Sequence, residues 1–343
     1  MPCRPAPLIT ITLIGLLHTP GLSAVPSGKP AYTDAARTDE DFALQGEYAG
    51  EATIDGQTLR LGIQAVALGD GKFDIVAYPG GLPGDGWTPP DTLRGTGTRQ
   101  GSGADAVVAL EGIDWTGQQR RGAIRAGAVV AIAADGTVVA TFPTVSRTSP
   151  TLGAKPPEGA TVICDGAGPV DESATLAGAR LTDDGLLMEG VTTTGEFGDA
   201  RWHVEFLLPY QPHDRGQARG NSGAYFNGSY EVQMLDSFGL EGKDNECGGI
   251  YKVAPPKVNM CLPPLAWQTY DVDFTAPRFE GGKKTKNARV TVRHNGVVVH
   301  DDIEGPGITL GGPVQEERST GPLHLQNHGN PVRYRNIWVL PKP

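Results

Sequence analysis

The chain has no apolar run long enough to span a bilayer; its one sustained apolar stretch, Leu8 to Leu17, is far shorter than a membrane helix needs. Arg4 precedes that stretch and the small residues of His18 to Ala24 follow it. This order reads as an export signal over residues 1–24, cleaved after Ala24. The mature chain is therefore expected in the periplasm or outside the cell, without a membrane span. Cysteine is also scarce. Of the four, Cys3 leaves with the signal, and Cys164, Cys247 and Cys261 remain. In an oxidising compartment Cys247 and Cys261, which flank a Gly/Pro-rich loop, are expected to form a disulfide. It would close a loop of about 14 residues, worth roughly 3 kcal/mol in the chain-entropy model. Cys164 has no sequence-visible partner and reads as a small buried apolar residue. Positive charge is in deficit, with a net charge of −10, which disfavours nucleic acid as a partner. No G-x-G-x-x-G opens a strand–helix unit, so a bound dinucleotide is not expected. Nor does any convincing pair of facing carboxylates stand out, as an ordinary glycosidase would require.

What is abundant is turn-forming residues: Gly 48 and Pro 28 in 343. With few aromatics, this composition favours many short strands over long helices. The length suggests two domains. Residues 25–40 read as a flexible leader. Residues 41–145 read as a small β-rich domain, with Asp70-Gly71 and Asp135-Gly136 as hairpin turns. Residues 146–160 have the composition of a linker. From 161 to 343 the strand pattern resumes, and Asn295-Gly296 marks a hairpin between two alternating runs. Strands at even spacing with no helical period predict an all-β chain: an antiparallel β-sandwich preceded by a smaller β-rich domain.

Alternation assigns side chains to faces. On Tyr230–Asp236, Glu231 and Gln233 share a face; on Leu323–His328, so do His324, Gln326 and His328; Arg333 and Arg335 are also two apart. Three segments thus offer polar stripes. A sheet with one wet face would look similar. These residues, however, are carboxylate, amide, imidazole and guanidinium, and they adjoin the Gly-rich segments Arg219–Gly223 and Asn327–Pro331. With Tyr225, Tyr251 and Trp267 for stacking, this is the equipment of a sugar site.

The strings RGNSGAYFNGSYEVQMLDSFG (Arg219–Gly239), GGIYK (Gly248–Lys252), WQTYDVDFTAPRF (Trp267–Phe279), ARVTVRHNGVVVHDD (Ala288–Asp302) and GPLHLQNHGNPVRYRNIWV (Gly321–Val339) resemble the 3-keto-disaccharide hydrolase domain family. The resemblance runs through about 180 residues in order and leaves 41–145 uncovered. It implies a concanavalin A-like lectin/glucanase sandwich. The implied activity is cleavage of glycosides already oxidised at the sugar 3-position, so the partner is a 3-keto-glycoside or oligosaccharide. A separate sugar 3-dehydrogenase would have to supply it. A 3-keto group acidifies the C2 proton; once a base removes it, the C1 oxygen can leave, and water can add back.

On this reading His328 is the first choice for proton transfer, because imidazole titrates near neutrality, and Glu231 is the rival base. Arg333 or Arg335 would stabilise enolate charge. Asn221, Gln233, Gln326 and Asp236 would bind hydroxyls, Trp267 would stack, and Tyr251 would stack on the sugar or donate a proton. Two metal readings stay open: calcium on Asp236, Asp244, Asn245 and Glu246, or a catalytic divalent ion held by His328 and Glu231 with a third ligand. Two other classes also stand. One is a non-catalytic, lectin-like sugar-binding protein on the same sandwich. The other gives residues 41–145 an adhesive role.

Overall fold

The computed structural model describes residues 29–54, 57–113, 117–168 and 176–342; the proposed signal segment lies outside them. The chain is all-β. No helix among the described residues is long and apolar enough to cross a membrane.

Eight antiparallel strands between Gly46 and Val145 close into a barrel, with Gly46–Ile54 paired to both Gln57–Gly69 and Val138–Val145. Closure leaves no free sheet edge. The hairpin at Asp70-Gly71 has φ of 54° and 71°, the left-handed geometry that Asp and Gly tolerate and the strand twist favours. Residues 29–40, the described part of the expected leader, are pinned instead. Tyr32 exchanges backbone hydrogen bonds with Tyr210, and Arg99 pairs with Asp41 at 2.6 Å and Glu40 at 2.5 Å.

The second unit is a sandwich. One sheet runs in the order Thr161–Cys164, Arg333–Pro341, Ala200–Leu207, Trp267–Thr275, Ala288–His294, Val297–Gly305, with Leu187–Met188 added on Arg333–Pro341. The facing sheet runs Leu176–Ala177, Val191–Thr193, His324–Leu325, Ser222–Phe226, Tyr230–Met234. Trp202, Val204 and Phe206, one alternating face, pack with Phe226, Val232, Leu325 and Tyr270 into the core between the sheets. Asn295-Gly296 forms its hairpin with φ of 49° and 80°.

The two units are firmly docked. Val66 of the barrel belongs to the sandwich core cluster. Arg219 and Arg215 donate to the barrel carbonyls of Ala67 (3.2 Å) and Leu68 (2.8 Å).

Residues 146–160 do not hang free as their composition suggested. They lie along the outer face of the seven-strand sheet because their polar groups find partners there. Ser149 and Thr151 hydroxyls bond Thr269 at 2.6 and 2.9 Å, and Thr151 donates to Asp271 at 2.7 Å. The Gly153 N–H donates to Glu205 at 2.5 Å, and the Ala154 carbonyl accepts from Asn336 and Trp338. Glu205, 1% exposed, also accepts from Arg335 and Asn336. Burial opposes its ionisation, but bonds from His203, Asn336, Arg335 and the Gly153 N–H outweigh that and hold its pKa at about 2.

Glu205→Ala should therefore cost about 3–5 kcal/mol, the scale for orphaning partners of a buried charge, read as a lower urea midpoint at pH 7. In the parent, the depressed pKa means this stabilisation is complete above the unfolded carboxylate value and is lost as pH falls from about 4.5 towards 2. Below pH 2 the parent and variant midpoints should converge.

Candidate functional site

The five-strand sheet turns one face to the core and the other outward. Ala224, Phe226, Val232, Met234 and Leu325 face the core. The alternate positions Gly223, Tyr225, Glu231, Gln233 and His324 lie on the opposite face. The hairpin at Asn227-Gly228, both with positive φ, sets Tyr225 opposite Glu231 and Gly223 opposite Gln233.

Glu231 is the centre of this face. Its side chain is 2% exposed and its Oε2 lies 2.8 Å from the Tyr225 hydroxyl. Burial drives its pKa up to about 8 against the lowering effect of the Tyr225 bond, and no neighbouring charge contributes. Tyr225 Oη is 3.0 Å from the Leu310 carbonyl and accepts from Gln326 Nε2 at 3.2 Å. The tyrosine has one proton for two acceptors. With Glu231 protonated, Glu231 donates to Tyr225 and Tyr225 to Leu310, so every group is satisfied; with Glu231 ionised, the Leu310 carbonyl loses its donor. The geometry therefore agrees with the raised pKa. Burial and the Glu231 charge push the Tyr225 phenol well up.

Glycine makes room for this carboxyl. A Cβ on Gly223 would stand 2.1 Å from Glu231 Oε1. The loop after Gly305 closes over the other side: Thr309 Oγ1 accepts from the Glu231 N–H at 2.9 Å, and Gly311 and Gly312 lie against Tyr225.

The rest of the polar face continues along the same strands. Gln233 and Asn221 both donate to Gln217. Asn221, 1% exposed, keeps its Oδ1 buried without a hydrogen-bond partner. His324 shares a bond with Thr192 at 2.8 Å. Gln326 is fixed by its N–H to the Gly223 carbonyl and its own carbonyl to Ser222 Oγ. Two residues on, His328 Nδ1 is buried and unpartnered. Burial lowers the pKa of both His324 and His328, so both are neutral near pH 7. Tyr251 follows the segment that covers the outer edge of Tyr230–Met234, its N–H donating to the Glu231 carbonyl, and its phenol acts electrostatically on Tyr225.

Several expected site residues stand elsewhere. Arg333 and Arg335 belong to the other sheet, on its outer face, where Arg333 pairs with Glu189 at 3.0 Å and Arg335 with Glu205 at 2.8 Å. Trp267 lies on that same outer face, its ring 4.0 Å under the Arg335 guanidinium. Asp236 is bound by Arg219 at 2.6 Å and is not offered to a ligand. Cys247 and Cys261 are buried free thiols rather than a disulfide, Cys247 Sγ bonding the Tyr270 hydroxyl at 3.2 Å and Cys261 Sγ the Leu235 and Leu262 carbonyls. Cys164 is a buried free thiol.

The calcium reading does not fit this donor set. Asp236 is taken by Arg219, Asp244 faces Lys252 at 3.7 Å, and Glu246 caps the N–H groups of Gly242 and Lys243. Among the described residues no three His, Cys, Asp or Glu side chains gather to hold a metal.

The part of the site that the sequence reading passed over is the Tyr225–Glu231 bond and the loop above it. The signal was present in the Asn227-Gly228 hairpin, whose register sets the two opposite each other.

Residues 153–340, more than half of the chain, match the family model of the 3-keto-alpha-glucoside-1,2-lyase-like domain. Among solved structures, a Parabacteroides distasonis protein provisionally described as a glycosyl hydrolase shares 32% identity over 54% of this chain and 84% of its own, with a TM-score of 0.48. A second protein from the same organism, described in the same way, shares 18% identity over 49% and 85%, with a TM-score of 0.36. No curated protein matches.

Gly223→Ala should displace the Glu231 carboxyl. We expect a loss of about 1–3 kcal/mol, typical of overpacking, together with loss of the shifted Glu231 titration, followed by carboxyl-resonance NMR across pH 4–9. An unchanged titration would show that Glu231 does not depend on the glycine.

Proposed function

The chain belongs to the 3-keto-alpha-glucoside-1,2-lyase-like domain family of carbohydrate-active enzymes, and we propose that it cleaves 3-keto-glycosides by elimination across C1 and C2, with Glu231 as the base. The observation that carries this reading is a single desolvated carboxyl on the polar face, with a pKa near 8 and hydrogen-bonded to a tyrosine. An ordinary glycosidase needs two carboxyl groups across the scissile bond. Among the described residues no second carboxylate contributes to the Glu231 shift.

A base of pKa about 8 suits removal of a proton acidified by a neighbouring ketone. Glu231 takes the C2 proton, and the C2–H electron pair forms the enolate with the 3-keto oxygen. As the ketone reforms, the C1–C2 double bond forms and the C1–O bond breaks. The leaving oxygen receives its proton through His328: the neutral ring gives up the one on Nε2 as its unpartnered Nδ1 takes one from solvent, so the imidazole stays neutral. Addition of water to the enone would complete net hydrolysis. Because Arg333 and Arg335 are committed to the other sheet, neutral amides serve instead: Asn221 Oδ1, which has no partner, accepts from a hydroxyl, and Gln233 and Gln326, each with one N–H beyond the bond it makes, donate to the hydroxyls and the enolate oxygen. Tyr251 borders the site as a stacking surface. The leading segment, outside the described residues, supports export to the periplasm or beyond.

The test is release of a chromogenic leaving group from a 3-keto-glucoside beside its unoxidised counterpart, with and without EDTA. We expect release from the keto substrate only, insensitive to the chelator, with an enone absorbance that precedes hydrated product. The rate should rise with pH and level off above about 8, as Glu231 ionises. Glu231→Gln should lower kcat by about 10²–10⁴-fold and yet be more stable than the parent at pH 9, since ionising a desolvated carboxyl costs folding energy. Sugar binding without release from either substrate would leave a lectin-like module. Release abolished by EDTA would put a metal into the mechanism.

A further inference from the structure

One end of the polar face is a chain of carboxamides whose orientations are fixed by backbone groups. A carboxamide can be turned end for end, so the groups it meets decide which atom donates. Three are joined here. Gln217 sits on the 3-10 turn Gly216–Ala218, which brings it back over Asn221. Its Nε2 donates to the Asn245 carbonyl at 2.7 Å. A carbonyl can only accept, so Gln217 Oε1 points the other way. That oxygen takes Gln233 Nε2 and Asn221 Nδ2, each at 3.2 Å. The far ends agree. Gln233 Oε1 accepts from the Met234 N–H at 2.9 Å, and Asn221 Nδ2 also donates to the Gln217 carbonyl at 2.8 Å. Reversing any one amide would set N–H against N–H or oxygen against oxygen.

The consequence falls on Asn221. Both hydrogens of its amide are engaged by Gln217, and the residue is 1% exposed. Its Oδ1 is left as a buried acceptor without a partner. Such an atom costs free energy until a donor reaches it. Sharing Gln217 Oε1 with Gln233 places Asn221 at the Gln233 end of the face that carries Glu231. The Gln326 N–H on the Gly223 carbonyl aligns the neighbouring strand. Two residues on from that pair, in the antiparallel sense, stand Asn221 and His328, whose Nδ1 is also buried and unpartnered. The unsatisfied acceptor is therefore beside the proton-transfer groups, where a sugar would lie.

We propose that Gln217 is a positioning residue, and that through Asn221 it makes the site selective for a sugar whose hydroxyl at that point is unsubstituted. A hydroxyl can donate to Asn221 Oδ1. An ether or ester oxygen cannot, and a deoxy carbon leaves the acceptor buried and unpaired. A site built to pair a hydroxyl rejects analogues that lack it far more strongly than an apolar pocket does. The substrate class narrows to sugar units with no branch or cap at that position. The inference rests on the proposed sugar site, though not on which reaction occurs there.

The experiment is kinetics of the mature chain on chromogenic 3-keto-glucosides with the 2-, 4- or 6-hydroxyl intact, removed or methylated, beside calorimetric binding of the matching unoxidised methyl glucosides. We expect one position at which both changes lower kcat/KM and affinity by at least about tenfold. Asn221→Ala should abolish that discrimination. Gln217→Met should lower it at least about threefold, because the Gln217 backbone carbonyl still holds one Asn221 hydrogen while the side-chain bond is lost. Its cost on the intact substrate should appear in KM, with the pH profile of kcat unmoved. Gln217→Glu, which still accepts from both amides, should keep most of the discrimination. A Gln217→Met variant that slows every substrate alike would overturn the proposal by reducing Gln217 to a packing role. Should that variant not fold, solvent exchange of the Asn221 side-chain amide in the parent decides: slow exchange is expected, and fast exchange would overturn the assignment. Turnover indifferent to all three positions overturns this inference and leaves the elimination reading standing. Position-dependent binding without turnover does the opposite, and neither binding nor turnover sinks both.

Discussion

One ion pair holds the working parts of this molecule in register. Arg219 Nε donates to Asp236 at 2.6 Å, both nearly fully buried, while Arg219 Nη1 reaches the Ala67 carbonyl in the barrel. The backbone repeats the connection, with the Asp236 N–H on the Arg219 carbonyl. Arg219 precedes the strand that carries Gly223 and Tyr225, and Asp236 follows the strand that carries Glu231 and Gln233. The pair therefore fixes both ends of the site hairpin and ties that hairpin to the barrel. Gly220, at φ 60°, approaches Asp236 so closely that a Cβ would stand 3.0 Å from the aspartate side chain. Removing one partner would leave a charge buried without compensation, the costly way to break such a pair.

The sandwich also sorts its ionisable groups by face. The outer face of the seven-strand sheet carries charges in contact: Arg335 on Glu205, His203 on Asp271, Arg293 on Asp273. Mutual pairing there keeps Glu205 and Asp273 ionised well below the usual range. The polar face of the other sheet does the reverse. Its carboxyl and imidazoles are desolvated without charged partners, so their neutral forms are favoured near pH 7. A face of neutral donors and acceptors can exchange protons with a neutral sugar without first breaking salt bridges. The same desolvation makes Glu231 a local cost to folding as pH rises, the usual tension between a tuned group and stability.

Much of the sandwich was legible because strand periodicity and hairpin chemistry are local. Ala288–His294 and its Asn295-Gly296 turn stand where alternation put them, and Glu231 with Gln233, and His324 with Gln326, share faces as the period of two requires. What alternation cannot supply is which sheet a strand joins. Arg333 and Arg335 are on one face of their strand, but that strand pairs with Ala200–Leu207, so their stripe faces away from Glu231. Trp267 was misplaced for the same reason. Asp236 looked available because the Arg219 bond spans 17 positions. Residues 146–160 read as a linker because serine, threonine and glycine look alike in a free loop and in a bonded one.

That bonded segment matters for how this architecture could be divided or recombined. The matched region begins at residue 153, yet Ser149 and Thr151 already serve as part of the sandwich, satisfying Thr269 and Asp271. The evolutionary seam between the modules and the physical seam are therefore offset by several residues. A gene fusion or proteolytic cut at the family boundary would carry away the hydroxyls that seal the sheet's outer face. A sandwich inherited intact by another protein must bring the end of its former neighbour's tether with it.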